Sequence, residues 1–178
     1  RAAGIEAIVT IGNGEGPLVA GCGIRIAEQY DPERTDSAAP PGPRIYATVG
    51  IHPHEARLAD EAAYSHLESL ARHPRVIAWG EIGLDYHYDH SPREVQQQVL
   101  VRQMELAAAA RLPIVIHCWP SANSENAWED LLRLLGETWA GLGLGGILHG
   151  FTGDWKHARA ALDMGLLISF AGNVSYSK

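Results

Sequence analysis

The apolar residues of this chain fall into short runs separated by longer stretches in which they recur every three or four positions. The runs cover residues 4–11, 45–50, 76–81, 114–117, 146–148 and 166–170, and Ile, Val and Leu recur through them. Such runs predict strands buried on both faces. The stretches between them predict helices over 17–30 and 55–72, the second stopped by His73-Pro74, since proline cannot continue a helix. Ser91-Pro92-Arg93-Glu94 gives a capping box with proline at the first helical position. The helix it opens carries Val95, Val99, Leu106 and Ala110 on one stripe. Trp128, Leu131, Leu132 and Leu135 stand at i, i+3, i+4 and i+7 of an amphipathic helix, and a last helix over 155–164 is stopped by Gly165. Residues 31–44 contain Pro32, Pro40, Pro41 and Pro43 and read as a surface loop, an insertion rather than a domain linker.

Strand and helix signals alternate without hairpin turns, which implies a parallel sheet. Six strands and five intervening helices predict an α/β fold of the TIM-type (β/α) barrel class, a single partial domain over residues 1–178 with about six of the eight strand–helix units. A complete barrel of this kind takes about 250 residues. The sequence starts at Arg1, inside what reads as a helix-to-strand connection. It is therefore expected to be part of a longer chain, short of a first and a C-terminal strand.

Composition narrows the picture. No apolar stretch is long enough to span a bilayer, and the two cysteines, Cys22 and Cys118, are too few for a disulfide framework. The expected setting is the reducing cytoplasm, with no membrane partner. A net charge of −7 provides no basic footprint for nucleic acid. That argues against a DNA-binding module working by surface charge, but not against an enzyme whose bound cations neutralise a phosphate.

Three runs end in a metal-type ligand: Val76-Ile77-Ala78-Trp79-Gly80-Glu81, Ile114-Val115-Ile116-His117 and Gly146-Ile147-Leu148-His149. Parallel strands in such folds point their C-terminal ends at one face, and that face carries the chemistry. Alone, Glu81 is as readily a solvated loop carboxylate, and a strand-end histidine is more often a hydrogen-bonded rim residue than a ligand. The shared position reverses both readings. Glu81, His117 and His149 are thus the expected metal ligands and catalytic residues of a metal-dependent hydrolase. Glycines beside Glu81 let the backbone turn sharply, and its two oxygens suit it to bridge two cations.

His52 and His54, separated by Pro53, are expected on the substrate side, hydrogen-bonded to a phosphate. His87 and His90 lie at the mouth of the site, as surface histidines or as substrate contacts, and His87 joins the substrate-side set. Asp85 either orients a ligand or caps its loop. Cys118 reads as a buried thiol. The glycines of Gly141-Leu142-Gly143-Leu144-Gly145-Gly146 lie after a helix and before a strand, the wrong order for a phosphate cradle.

Four motifs in register carry a family resemblance: Gly50-Ile51-His52-Pro53-His54, Gly80-Glu81-Ile82-Gly83-Leu84-Asp85-Tyr86, Leu112-Pro113-Ile114-Val115-Ile116-His117-Cys118 and His149-Gly150-Phe151-Thr152-Gly153. Together they resemble the TatD family of metal-dependent deoxyribonucleases and hydrolases, within the amidohydrolase-like TIM barrels. The resemblance implies two divalent ions (Mg, Mn or Zn), bridged by Glu81, with His117 and His149 each contributing to one. It also implies hydrolysis of phosphodiester bonds, commonly as a 3′-to-5′ exonuclease, with DNA or another phosphodiester as substrate and no obligate protein partner. Two family features are missing, a His-x-His pair on the first strand and an Asp near the last. The chain alone is therefore expected to bind metal weakly and to show little activity. Many members carry Arg after the equivalent of His117-Cys118, where this chain has Trp119. An amide, lactone or phosphotriester hydrolase on the same barrel often uses a carbamylated lysine bridge, but the only lysines are Lys156 and Lys178, neither at a strand end. A barrel that binds without catalysis is the third reading.

Overall fold

In the computed structural model, residues 4–12, 16–30, 42–122 and 124–175 are described. Six strands form one sheet in sequential order, and every neighbouring pair is parallel. They are β1 (Ala7–Thr10), β2 (Arg44–Val49), β3 (Val76–Asp85), β4 (Ile114–Trp119), β5 (Gly146–Leu148) and β6 (Leu167–Ile168). The helices between them are α1 (Cys22–Gln29), α2 (Glu61–Leu70), α3 (Arg93–Ala110), α4 (Asn126–Thr138) and α5 (Trp155–Asp163). Sequential parallel order with one helix per crossover is the construction of a βα barrel, and the sheet curls as a half-barrel, the partial TIM barrel that the alternating pattern predicts.

The inner strands are buried almost throughout, as expected of a sheet covered on both faces. Trp79, Ile82, Leu84, Ile114 and Ile116 come from β3 and β4, and the helices add Leu67, Met104, Trp128 and Leu131; all are essentially inaccessible. The two outer strands each have one neighbour, and Ile8, Val9 and Leu167 stay exposed.

Several boundaries differ from the pattern-based ones, each for a local reason. The helix expected over 17–30 is a 3₁₀ turn, Pro17–Val19, followed by α1. The helix expected over 55–72 is likewise split. A 3₁₀ segment, Pro53–Leu58, ends at extended Ala59, and α2 starts afresh after Asp60, whose carboxylate accepts the Ala63 N–H at 2.7 Å. The capping box at Ser91 does not form. Its hydroxyl accepts the Arg57 N–H (3.1 Å) and donates to the His54 carbonyl (2.9 Å), so Pro92 precedes α3 without a side-chain cap. On α3, Ala110 is exposed, and the buried face includes Gln96 and Gln103 beside Val99 and Leu106. The strand expected to end at Glu81 runs on to Asp85. The proline-rich loop lies, up to residue 41, outside the described residues.

Among the described residues, no helix is long and apolar enough to cross a membrane.

The cap at Asp60 is directly testable. Asp60→Ala should lower stability by about 1 kcal/mol, the usual worth of an aspartate N-cap, read as a shift of the urea midpoint at constant slope. No shift would mean that α2 is held by packing alone.

Candidate metal centre

Glu81 owes its position to an irregularity in β3. Gly80 pairs with Val115 and Ile82 with Ile116, so Glu81 is the extra residue of a bulge. A bulge re-aims the side chain it carries. The strands also run unusually close here: a Cβ at Gly83 would overlap the His117 carbonyl. Glycine at 83 lets His117 on β4 draw level with β3.

His52 is placed from the other side. Gln103 on α3 accepts the N–H of Ile51 at 2.7 Å and the Trp79 indole N–H at 3.2 Å, and donates to the Ile51 carbonyl at 3.0 Å. His52 itself is extended, the conformation favoured before proline. The chain then turns at Pro53, so His52 and His54 do not alternate along a strand. Instead the His54 N–H donates to His52 Nδ1 (3.3 Å) and the two rings meet edge-on at 4.4 Å.

This brings ligand atoms of His52, Glu81 and His117 within 4.8 Å of one another, a grouping that could hold a divalent ion. His149 lines the same cavity and its charge bears on Glu81, but it stands outside that tight group. The cavity, about 410 Å³, is also lined by His54, Asp85, Tyr88, Cys118 and Trp119. His87 is not on its wall; its ring lies between Tyr88 (4.7 Å) and Trp119 (5.6 Å). His90 meets His54 edge-on at 4.6 Å. Cys118 is buried, and burial pushes its thiol up, which disfavours the thiolate a ligand or nucleophile would need.

Asp85 both orients ligands and caps its loop. Its carboxylate is fully buried. Oδ2 accepts His54 Nε2–H at 2.7 Å and His117 Nε2–H at 3.0 Å, while Oδ1 accepts the N–H groups of His87 (3.1 Å) and Tyr88 (2.9 Å). Its backbone is gripped by Gln96, whose Oε1 accepts the Asp85 N–H (2.8 Å) and whose Nε2 donates to the Asp85 and Ser91 carbonyls. Neither glutamine is a feature that an apolar stripe reveals. The signal available was their seven-residue spacing on α3, two turns of one face.

Burial alone would raise the Asp85 carboxyl, but hydrogen bonds from His117, Tyr88 N–H and His54 outweigh it and hold the group far below the usual carboxylate range. Glu81 is lowered in the same way: burial opposes ionisation, and the His117 hydrogen bond and the neighbouring imidazoles overcome it. For His117, burial pushes down while hydrogen bonds to Asp85 and to Glu81 (Nδ1 to Oε1, 3.2 Å) lift it to about 9. His52 goes the other way. Burial and the adjacent His117 charge lower it to about 4, so it is neutral, and its one lone pair, on Nδ1, accepts the His54 N–H.

A half-barrel with a carboxylate and imidazoles converging at its strand ends belongs to the class of metal-dependent hydrolase barrels. Across residues 1–178 the sequence matches the family described as TatD related DNase, and the chain is a member of it. It is 39% identical over 132 residues to the uncharacterized metal-dependent hydrolase YabD of Bacillus subtilis, covering 74% of this chain and 49% of that protein. To the 3′-5′ ssDNA/RNA exonuclease TatD of Salmonella typhimurium it is 35% identical over 130 residues, 73% of this chain and 47% of that one. The structure of YjjV, a TatD homolog from Escherichia coli K12, superposes with a TM-score of 0.75 at 25% identity, covering 98% of this chain and 60% of that one. The chain thus spans about half the length of the curated relatives it matches.

Two predictions follow from the hydrogen-bond network. Gln103→Leu strands the Ile51 amide groups and the Trp79 indole and should cost roughly 2–4 kcal/mol in urea unfolding; a loss no larger than that of Gln98→Leu, on the exposed face, would remove the clamp. The stability of the metal-free protein should also peak near pH 6.5. The folded state keeps the His117 proton up to about pH 9, whereas the unfolded chain releases it near 6.5, so stability falls as pH rises between them. On the acid side the unfolded chain protonates His52 below 6.5 while the folded state resists to about 4, and the lowered carboxylates extend that loss. Thermal melts of chelator-treated protein read the profile. Asp85→Asn should flatten its alkaline limb, and an unchanged limb would contradict the assignment.

Proposed function

We propose that this chain is the metal-binding portion of a divalent-metal-dependent phosphodiesterase that releases nucleotides from the 3′ end of DNA or RNA strands. The observation that carries this reading is the convergence of His52, Glu81 and His117 at the strand ends of a barrel of the TatD family. The names of the exonuclease relatives support the substrate class.

The donor set, one carboxylate and two imidazoles, suits Zn, Mn or Mg ions in different degrees. Glu81 offers two oxygens, enough to serve two ions. His52 and His117 would supply nitrogens, and His149, which lines the same cavity, would be a further donor. When bound, the ions supply a hydroxide nucleophile at neutral pH and stabilise charge on the phosphate.

The remaining work falls to the chain itself. Asp85 holds the Nε2 proton of His117, which leaves Nδ1 facing Glu81 as the ligand atom. It also fixes the ring, so the nitrogen is presented in one orientation. His54, on the cavity wall, gives its Nε2–H to Asp85, so a contact with a phosphate oxygen would have to come from an Nδ1–H. His87 reaches substrate only beyond Tyr88 and Trp119.

The test uses the full-length protein and a 5′-labelled single-stranded oligonucleotide. Chelation should abolish shortening from the 3′ end, and Mn²⁺ or Mg²⁺ should restore it. Glu81→Gln should lower kcat by at least about 100-fold, and Asp85→Asn by roughly 10- to 100-fold, the range for residues that orient a metal ligand. Full activity of Glu81→Gln, or metal-restored hydrolysis of a lactone or amide but of no strand, would overturn the reading.

A further inference from the structure

The large aromatic residues of this chain divide sharply. Trp79, Trp128 and Trp139 are essentially inaccessible, whereas Tyr30, Tyr88, Trp119, Trp155 and Phe170 are exposed; of these, Trp119 and Tyr88, at 37% and 52%, line the cavity. Their rings lie 6.0 Å apart at 64°, and His87 sits against both. Trp119 is also only 6.4 Å, ring to ring, from His117.

Neither aromatic is loosely held. Trp119 is the last residue of β4, and its carbonyl accepts the Tyr86 N–H at 2.9 Å. The Tyr88 N–H is fixed by Asp85 Oδ1 at 2.9 Å. Both backbones are therefore tied to the same network as the ligand group, and the Tyr88 ring lies parallel to that of His90 at 5.8 Å. Exposing that much aromatic surface beside a polar site is what a stacking surface requires.

The lining of the cavity sharpens the point. Among the described residues it includes His, Glu, Asp, Tyr, Cys, Trp, Gly and Ala, but neither Lys nor Arg. The chain's net charge is −7. A nucleic-acid strand entering here meets, among the described residues of the wall, none of the basic side chains that ordinarily grip its backbone. Beyond the ions, the wall offers histidines and, at its rim, the aromatic rings of Trp119 and Tyr88.

We propose that Trp119 and Tyr88 form a stacking platform for an unpaired nucleobase adjoining the phosphodiester held among His52, Glu81 and His117. The proposal rests on the phosphodiesterase reading for the position of the phosphate, and it deepens that reading by naming what is recognised: the face of a base. Every base has such a face, so the platform is tolerant of sequence. It discriminates by strandedness, because a base paired and stacked in a duplex does not expose its face.

The experiment compares two strands of equal length with phosphorothioate linkages to slow cleavage, one carrying bases and one built of abasic tetrahydrofuran units. Binding to the full-length protein with Mn²⁺ is measured by fluorescence anisotropy. The wild type should bind the base-bearing strand roughly 5- to 100-fold tighter, the range that stacking on one aromatic supplies. Trp119→Ala and Tyr88→Ala should each shrink that ratio toward one while leaving the abasic Kd in place. Trp119→Phe should recover most of the ratio, which a merely structural tryptophan would not do. A wild-type ratio near one overturns the platform, as does an equal loss on both strands in Trp119→Ala with Trp119→Phe no better. Failure of the phosphodiesterase reading looks different: neither strand, made with ordinary linkages, is cleaved with any divalent ion, while the binding ratio still decides the platform.

Discussion

The site depends on one fully buried carboxylate. Taking an ionised Asp85 out of water is tolerable only if each oxygen is well satisfied. Four donors do this, two imidazoles on one oxygen and two backbone amides on the other. Because the donors come from different parts of the fold, satisfying the charge locks those parts together. The loop after β2 contributes His54, β4 contributes His117, and the turn after β3 contributes the amides of His87 and Tyr88. Removing the charge would release ligand orientation, loop position and the aromatic rim at once.

Helix α3 turns this local lock into a rigid frame. Its two buried glutamines each grip a backbone segment at a strand end, Gln103 at Ile51 and Gln96 at Asp85. A glutamine amide offers both a donor and an acceptor, so it can close on a peptide unit as a neighbouring strand would. Past the last sheet pair the strand ends have backbone groups without ladder partners, and buried groups of this kind must be paired. The glutamines supply those partners where the chemistry needs the chain to leave the sheet. Sites held by regular elements keep ligand geometry tighter than sites on free loops.

Much of this was legible in the sequence, and the exceptions have physical causes. The alternation of buried runs and amphipathic stretches gave the parallel order and all six strands, because a strand covered on both faces and a helix with one buried face leave different apolar periods. Glu81 and His117 were legible for the same reason: each follows such a run. The bulge at Glu81 was not, since a one-residue register shift leaves no mark in apolar period, and so β3 was expected to stop four residues early. The grouping of His52 with Glu81 and His117 depends on the turn at Pro53 and the grip on Ile51, both long-range. Ser91 misled because an N-cap serine and a serine bridging two loops have the same local sequence. Gln96 and Gln103 were invisible to a search for apolar stripes because their burial is made possible by the hydrogen bonds they make.

The charge pattern of the cavity ties these features to chemistry. Two carboxylates lie within hydrogen-bonding distance of one imidazole, and His117 resolves the repulsion by keeping a proton to about pH 9. A divalent cation answers the same need better. It can replace the proton on the Glu81 side with twice the charge, while Asp85 retains the Nε2 proton and fixes the ring. In the metal-free chain the His117 proton therefore fills the place, between two carboxylates, that a cation would take. By the same argument a lysine or arginine beside Glu81 would compete with a bound ion for its carboxylate, and among the described residues the cavity wall carries neither. At the rim beyond these groups the cavity wall carries the aromatic rings of Trp119 and Tyr88.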